Sequence, residues 1–509
     1  MFRRSNFRDI LIMVWSVDAV RSGEPERAKT RMQFPRNAIG AKPGEGHFVA
    51  PWTLETLVNE ALVHRSADRG SKRLLNTRHW SSFASLFNLI NEIENAESLD
   101  DIPEMAILGA LPRIGWRQFG WQIGYKTANR FFRSWWLYNF PEANDFFLKT
   151  YGVSVERFCY VGFAVASQLI KYPAVRPNTT LSKVGITDEE RDAFFRMVSL
   201  SSANARKHAA KERKWGKGQI AYKPSVLRRK PMITITNENV LEAYCPLPAL
   251  LYLRFTDGLF YDLIENSDLK RIIGERFEDY AFEINRHYLS DRYRIFKEDK
   301  YGARSKQRAT PDLRIINGEH KLKAIIECKS RRIPFKVLSS PNPYFENKDV
   351  FAELVKGVTQ IWRYVADVRL GRAECDWRIS SDVIGVILML EPWLQMYSET
   401  IRSIKQRAVM ECERYPEVEE VDQIEITFVA VDDWEYSLGR IRAEGFLRAL
   451  HVHATPRKHG YLLGTIVDEL AVEEDSDVVP YDYHAGISRL VSWWDEIGEN
   501  RIPEPPCEH

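Results

Sequence analysis

Two short segments place carboxylates and a lysine at a spacing that suits phosphodiester hydrolysis. Thr310-Pro-Asp312 enters one predicted strand, and Glu327-Cys-Lys329 ends the next. Side chains alternate along a strand, so Glu327 and Lys329 point to one face while Cys328 points away. With the strands adjacent, Asp312 lies beside Glu327, where the two carboxylates repel each other unless a cation lies between them.

Such an oxygen-rich pair predicts a Mg²⁺ site, with Mn²⁺ able to substitute, because both ions take carboxylate ligands and keep several waters. A lysine at the rim can orient or deprotonate the attacking water and offset charge on the phosphate. This set of groups is the minimum for metal-assisted hydrolysis of a phosphodiester. We therefore predict Asp312, Glu327 and Lys329 as catalytic residues, with both carboxylates as metal ligands.

The elements around these residues predict an α/β domain. A helix is predicted over 269–289, and Asn317-Gly318 indicates a hairpin turn between the two catalytic strands. The other predicted elements are strands over 293–296, 313–316, 322–328, 383–390 and 424–431, and helices over 351–368, 393–413 and 485–497. Their order predicts a mixed sheet flanked by helices.

Together these residues resemble the PD-(D/E)xK superfamily of nucleases, also called restriction-endonuclease-like. Pro311-Asp312 with Glu327-Cys-Lys329 matches its signature, and Gly274-Glu-Arg-Phe-Glu278 is similar to its first-helix pattern. Gln360-Ile-Trp-Arg-Tyr364 resembles the QxxxY element of the RecB-like branch. The resemblance covers roughly residues 265–435, and nothing in the first 240 residues contributes to it.

The resemblance implies a restriction-endonuclease-like fold for the C-terminal domain and Mg²⁺-dependent endonuclease activity on DNA. It adds Glu278 as a metal ligand, directly or through water, and the backbone carbonyl of Cys328 as another. It also adds Gln360 to the catalytic residues, although Gln360 and Tyr364 also suit a role in bracing their helix against the sheet. Stand-alone nucleases of this build resemble bacterial restriction or anti-phage defence proteins, and we expect such a role here.

Other functions stay open beside this one. A catalytically silent nucleic-acid-binding or assembly protein on a nuclease-like fold is one, although Asp312, Glu327 and Lys329 are all present. An RNase is another, because the metal chemistry acts on the phosphate whichever sugar is attached. Double-strand cleavage commonly involves two active sites, so a homodimer is open as well. The sequence has no GxxxxGK[ST] loop, which argues against a nucleotide-driven motor.

Basic residues flank the two catalytic strands. Contacts of this kind position a phosphodiester without reading its sequence, whereas solvated strand edges also use Lys and Arg. The residues are Lys297, Lys300, Arg304, Lys306 and Arg308 before Asp312, and Arg331, Arg332 and Lys336 after Lys329.

The bulk composition of the 509-residue chain predicts two or three domains. An apolar share of 44% supports hydrophobic cores, and a formal charge of +2 favours no class of partner. Six cysteines without a CxxC pair fit a reducing compartment. No apolar stretch approaches the ~20 residues needed to span a bilayer, so we expect a cytoplasmic protein without membrane contact.

Residues 1–205 are predicted to form a mainly helical domain that binds a protein or nucleic-acid trigger, binds DNA or mediates assembly. Thr187-Asp-Glu-Glu190 predicts a capping box. Residues 116–140 interleave aromatic and basic side chains, which suits either a stacking surface for single strands or a helical core with a solvated basic face. Residues 206–240 predict a basic linker, and 241–509 predict the nuclease domain with a C-terminal extension.

Two neighbouring histidines are further candidate metal ligands. His451 and His453 lie two residues apart, so on a strand they face one side. No third ligand lies nearby in the sequence. A structural role is therefore favoured for both.

Overall fold

The computed structural model describes residues 2, 5–64, 75–100, 107–214, 219–303, 307–333, 348–373, 375–392, 394–471, 478–491 and 493. The chain divides into two compact units. The first comprises Met1–Pro103, Arg117–Leu269 and Tyr483–His509, and the second comprises Glu104–Trp116 and Lys270–Asp482. This division differs from the predicted one, which placed a linker at 206–240 and grouped everything after it.

The N-terminal region is mainly helical, as the sequence predicts. Its helices are α1 (Phe7–Arg21), α2 (Pro25–Ala28), α3 (Pro51–His64), α4 (Trp80–Asp100), α5 (Ile107–Ile123), α6 (Ala128–Tyr138), α7 (Pro141–Tyr151), α8 (Val155–Lys171), α9 (Asp188–Val198), α10 (Ser202–Lys214), α11 (Val226–Arg229), α12 (Pro248–Phe255) and α13 (Leu259–Leu263). Its strands are β1 (Ala174–Val175), β2 (Ser199–Ser201), β3 (Met232–Asn237) and β4 (Val240–Tyr244). They form one sheet of order β1-β4-β3-β2.

The predicted capping box at the start of α9 is confirmed. The Thr187 hydroxyl accepts from the Glu190 backbone N–H at 3.2 Å, and the Glu190 carboxylate accepts from the Thr187 backbone N–H at 3.0 Å. Two helix-terminal donors are thereby satisfied, which fixes where α9 begins.

The aromatic and basic residues between 121 and 140 lie inside the first unit. Phe131 and Phe132 on α6 are buried, and so are Arg130 and Arg133 beside them. Arg130 forms an ion pair with the buried Asp257. The aromatic side chains therefore form core, as one alternative predicts, but these two arginines do not form the solvated basic face that it included.

The segment predicted as a basic linker is folded over most of its described length. Helix α10 buries Ala205 and Ala209 in the hydrophobic core of the first unit. Arg213 pairs with Glu60 on α3, and Arg228 pairs with Glu55 on the same helix. The carboxylates that pair with these cations come from residues far earlier in the chain. The charges of the segment itself therefore do not predict the pairs.

The second unit is a mixed α/β domain. Its elements are α14 (Ser267–Leu289), β5 (Tyr293–Lys297), β6 (Lys300–Tyr301), β7 (Arg308–Ala309), β8 (Leu313–Asn317), β9 (Lys321–Lys329), α15 (Lys348–Arg369), β10 (Arg378–Met389), α16 (Ser398–Cys412), β11 (Ile426–Ala430), α17 (Val431–Leu438), α18 (Ala443–Ala454) and α19 (Leu463–Ala471). Five strands form a sheet of order β11-β10-β9-β8-β5. Strands β9, β10 and β11 are parallel, and β8 is antiparallel to β9 and β5. The predicted mixed sheet flanked by helices is confirmed.

The closing helix belongs to the first unit rather than to the second. This helix, α20 (Tyr483–Leu490), packs against α6, where Trp135 donates its indole N–H to the Leu490 carbonyl at 3.2 Å. Residues 494–497 of the predicted helix lie outside the described residues.

Both faces of the five-stranded sheet are buried. On one face, Ile325 and Ile387 pack in a core with Ile361 of α15. On the other face, Ala324 and Ile326 are also fully buried, since neighbouring side chains of a strand point to opposite faces. Parallel strands covered on both sides by helices commonly have this pattern.

Among the described residues, no single helix is long and apolar enough to cross a bilayer. The pair formed by α7 and α8 has the required length and composition only when taken together, and it is bent by 71°.

Gly385 on β10 is closely packed by side chains of α15 and β11. A methyl group at Gly385 would overlap the end of the Ile426 side chain and lie 3.2 Å from Ile361 Cγ2. We predict that Gly385→Ala lowers the free energy of unfolding by about 1–3 kcal/mol, the usual range for overpacking a core. Urea unfolding measures this change.

Gly318 provides the matched control, because no atom lies within 4 Å of a methyl group added there. Gly318→Ala should leave the unfolding midpoint nearly unchanged. Equal effects of the two substitutions would contradict the packing at Gly385.

Candidate active site

Three acidic residues stand side by side at one edge of the five-stranded sheet. The last regular pairs at this edge join Lys297 to Leu313 and Leu313 to Ile326. The next residue on each strand is Glu298, Asp312 and Glu327, respectively. The carboxyl ends of β5, β9, β10 and β11 all meet here, the kind of edge at which open α/β sheets bind ligands.

Asp312 lies at the centre of this row. Carboxylate oxygens of Asp312, Glu298 and Glu278 lie within 4.8 Å of one another. Asp312 is 8% exposed, and its Oδ2 accepts from the Cys328 backbone N–H at 2.6 Å. That hydrogen bond holds the Oδ2 atom in place, and the Oδ1 atom remains for contacts with other groups.

Glu327 and Lys329 lie on the same face of β9, as the alternation of side chains predicts. Lys329 Nζ donates to Glu327 Oε1 at 2.7 Å, and both side chains are largely buried. Helix α15 packs directly over them, because a methyl group at Gly357 would lie 3.0 Å from Lys329 Cε and 3.4 Å from Glu327 Cγ. A methyl group at position 357 would force these neighbouring side chains to shift by a few tenths of an ångström.

Helix α14 brings Glu278 to the same edge. One turn earlier on this helix, Gly274 faces Ser330, the residue after Lys329, and a methyl group there would lie 3.5 Å from the Ser330 hydroxyl. Glu278 is half-buried, whereas Glu298 is exposed. The predicted role of Glu278 as a metal ligand stays a prediction, but its carboxylate is placed for it.

The carboxylates raise one another's proton affinity. Burial, followed by the charges of Glu327 and Glu278, raises the pKa of Asp312 to about 9. Burial and the charge of Glu298 raise the pKa of Glu278 to about 7. Burial is the largest cause of both shifts, and the charges of the neighbouring carboxylates add to it.

Lys329 and Cys328 respond to the same charges. Burial alone would lower the pKa of Lys329, but the charge and hydrogen bond of Glu327 outweigh it, and the pKa of Lys329 is raised. Burial, then the charge of Asp312, raises the pKa of the Cys328 thiol far above its ordinary value. Because side chains alternate along β9, the thiol points to the face opposite to Glu327 and Lys329. The predicted role of the Cys328 backbone carbonyl stays a prediction.

The donor set fits a hard divalent cation. Three carboxylates converge within 4.8 Å, and a fourth, Glu327, raises the pKa of two of them. Oxygen-rich sites of this kind suit Mg²⁺ and Mn²⁺. A cation among these oxygens would also offset the repulsion that raises the pKa of Asp312.

Glu298 is a site residue that the sequence analysis missed. It follows β5, whereas the recognisable motifs lie on β8 and β9. The pairing of β5 with β8 brings Glu298 opposite Asp312. The two residues are the ends of the segment 298–312 that connects the strands. The sequence has an acidic residue directly after β5, but only the register between β5 and β8 shows that it lies beside Asp312.

Gln360 lies in a different environment from the one predicted. It lines a cavity together with residues of α15 and α16, and none of the four carboxylates lines that cavity. Among the described residues, Gln360 has no hydrogen bond to any of these carboxylates, and its Oε1 is buried without a partner. Tyr364 is buried with its ring edge-on to Tyr301. The bracing alternative therefore describes Tyr364 well, and the catalytic role of Gln360 gains no geometric support.

Most of the described basic residues near the site are already ion-paired. The pairs are Lys297 with Asp279, Arg308 with Asp367 and Glu417, Arg331 with Glu353, and Arg332 with Glu391. Arg304, Lys306 and Lys336 lie outside the described residues. Because these cations are paired with carboxylates, they attract a phosphate less strongly than the same number of unpaired cations would.

The two histidines lie on a helix, α18, and not on a strand. His453 is buried between the Thr427 hydroxyl and the Tyr461 carbonyl, which its ring contacts at 2.9 Å. Burial lowers the pKa of His453 to about 4. Its role is structural, as favoured from the sequence.

Comparison of the chain with protein-family models, with curated proteins and with solved structures gives no match.

The pKa of Asp312 predicts how the metal-free protein responds to pH. A carboxyl whose pKa is raised on folding stabilises the fold fully below its unfolded value, near 3.8, and loses that contribution as the pH rises through about 9. In EDTA, raising the pH from about 5 to about 9 should lower the free energy of unfolding of the wild type, relative to Asp312→Asn, by more than about 1.4 kcal/mol, the value of one pKa unit. Urea unfolding at several pH values measures this difference.

Asp382→Asn is the control on the same sheet. Burial tends to raise the pKa of Asp382, but hydrogen bonds from Lys323 and Ser380 outweigh this effect and hold it at about 2. Its contribution is therefore constant across the tested range. A pH-independent difference between wild type and Asp312→Asn would contradict the prediction.

Proposed function

We propose that this protein is a metal-dependent nuclease that hydrolyses phosphodiester bonds of DNA. The observation that carries the proposal is the row of Glu298, Asp312 and Glu327 at one sheet edge, with Lys329 beside it. Pro311-Asp312 and Glu327-Cys-Lys329, which resemble the PD-(D/E)xK signature, lie directly before β8 and at the end of β9. A restriction-endonuclease-like fold for the second unit, and a role in restriction or anti-phage defence, belong to the same proposal.

Asp312, Glu298 and Glu278 would hold the cation, with Glu327 as a further ligand when Lys329 turns away from it. When bound, Mg²⁺ would supply Lewis-acid polarisation of the phosphate and a more acidic water. The Cys328 backbone N–H holds Asp312 in place at 2.6 Å. The chain itself therefore orients the central carboxylate before any substrate arrives.

Lys329 has two uses in this site. Its ammonium group lies 2.7 Å from Glu327 and is 16% exposed, so it is held at the rim with part of its surface open. There it can donate a hydrogen bond to a phosphate oxygen or orient the attacking water. Its raised pKa favours the charged form, which suits stabilisation of charge better than removal of a proton.

The decisive test compares wild type and Lys329→Ala on supercoiled plasmid in Mg²⁺, in Mn²⁺ and in EDTA. We expect metal-dependent nicking or linearisation, and a fall of about 100-fold or more in the variant, the usual effect of removing a positioned catalytic group. Lys321→Ala is the matched control, because Lys321 lies at the other end of β9 and pairs with Glu319.

Three outcomes would contradict the proposal. If Lys329→Ala cleaves plasmid as fast as the wild type, Lys329 has no role in the reaction. If cleavage persists in EDTA, the reaction does not need a divalent cation. If the plasmid stays intact in every condition and a labelled RNA is cleaved in Mg²⁺, the substrate is RNA and not DNA.

Gly357 gives a second test that leaves every polar group in place. In Gly357→Ala, the methyl group would press on Lys329 and Glu327, so we expect plasmid cleavage to fall by about tenfold through misplacement of the catalytic groups. Initial cleavage rates at saturating Mg²⁺ measure the effect.

Gly274→Ala is the control for this substitution. It also adds a methyl group to a helix beside the active-site strand, but at an ordinary contact distance of 3.5 Å from Ser330. Both variants should fold, and only Gly357→Ala should lose activity. An unchanged rate in Gly357→Ala would show that α15 does not position Lys329.

A further inference from the structure

A second site lies between α15 and α16. A cavity of about 360 Å³ opens between the two helices, a size within the range of small-molecule sites, roughly 300–1,000 Å³. Its polar lining residues are Lys356, Gln360, Arg363, Arg407, Glu411 and Tyr415. None of the proposed metal ligands is among them, so this cavity has a chemistry of its own.

The lining carries a surplus of positive charge. Three cations face one acid, Glu411, and that carboxylate already accepts from Arg414 at 2.7 Å. Lys356 and Arg363 have no carboxylate within ion-pair distance among the described residues, in contrast to most of the described cations around the active site. Unpaired cations around a concave surface favour an anionic ligand.

Two further groups in the cavity lack hydrogen-bond partners. The Oε1 atom of Gln360 and the Nε atom of Arg363 are both buried without a partner among the described residues. The Arg363 guanidinium lies over the Tyr415 ring at 3.9 Å, which holds its plane in a fixed direction. Buried polar groups are normally satisfied, so a ligand that accepts from Arg363 and donates to Gln360 would complete the site.

We propose that this cavity binds a mononucleotide. The phosphate would lie among Lys356, Arg363 and Arg407, and a hydrogen-bonding edge of the base would meet the Gln360 amide. A bare phosphate would satisfy the cations but would leave most of the volume empty. The inference does not depend on the proposed hydrolysis, because it rests on other residues.

Isothermal titration calorimetry on the full chain in EDTA tests the proposal with 5′-AMP, adenosine and inorganic phosphate. We expect 5′-AMP to bind at least about tenfold more tightly than either of the other two. The double variant Lys356→Gln/Arg407→Gln should weaken 5′-AMP binding by at least about tenfold, the usual loss for a charge-assisted hydrogen bond. Both side chains are exposed, so the variant should remain folded.

Arg402→Gln is the matched control, because Arg402 lies on α16 outside the cavity lining and pairs with Glu399. It should bind 5′-AMP like the wild type. Adenosine binding as tightly as 5′-AMP would overturn the phosphate site, and phosphate binding as tightly as 5′-AMP would overturn the contact with the base. No binding of 5′-AMP, or equal losses in the double variant and in Arg402→Gln, would overturn the proposal as a whole.

Discussion

The repulsion among the carboxylates around Asp312 is the constraint on which the second unit depends. Asp312 lies in line with Glu298 and Glu327, and Glu278 approaches from α14. Charges brought together in a poorly solvated place interact far more strongly than in water. The metal-free protein relieves this repulsion by retaining a proton on Asp312 and by holding Lys329 against Glu327.

The surrounding fold is arranged to keep these groups together in spite of their charge. The strand register brings three acids to one edge, and the glycine at position 357 lets α15 cover the side chains of Glu327 and Lys329. The buried Asp367 on α15 accepts from Tyr301 at 2.6 Å and from Arg308 at 2.7 Å, which ties the β6–β7 ribbon to the helix. This ribbon leads directly into Asp312, so the entry to β8 is held from outside the sheet.

Local pattern was enough to predict much of this arrangement. The alternation of side chains along β9 predicts the common face of Glu327 and Lys329, and adjacency of β8 and β9 predicts the place of Asp312. Glu298 was not predicted, because its place depends on the register between two strands separated by a long connection. The ion pairs of the basic segment after residue 205 were not predicted for the same reason. Arg213 and Arg228 pair with acids on α3, which is distant in the sequence.

Charge pairing also bears on the order of binding in the proposed reaction. A phosphodiester that approaches the site meets several carboxylates and one lysine, and that lysine is already engaged by Glu327. Arg308, Arg331 and Arg332 are engaged by acids of their own. We infer that attraction for the phosphate would come chiefly from a bound cation, because most of the described basic side chains nearby are already paired. The same surplus of carboxylate that destabilises the metal-free protein at high pH would thus make nucleic-acid binding conditional on the cation.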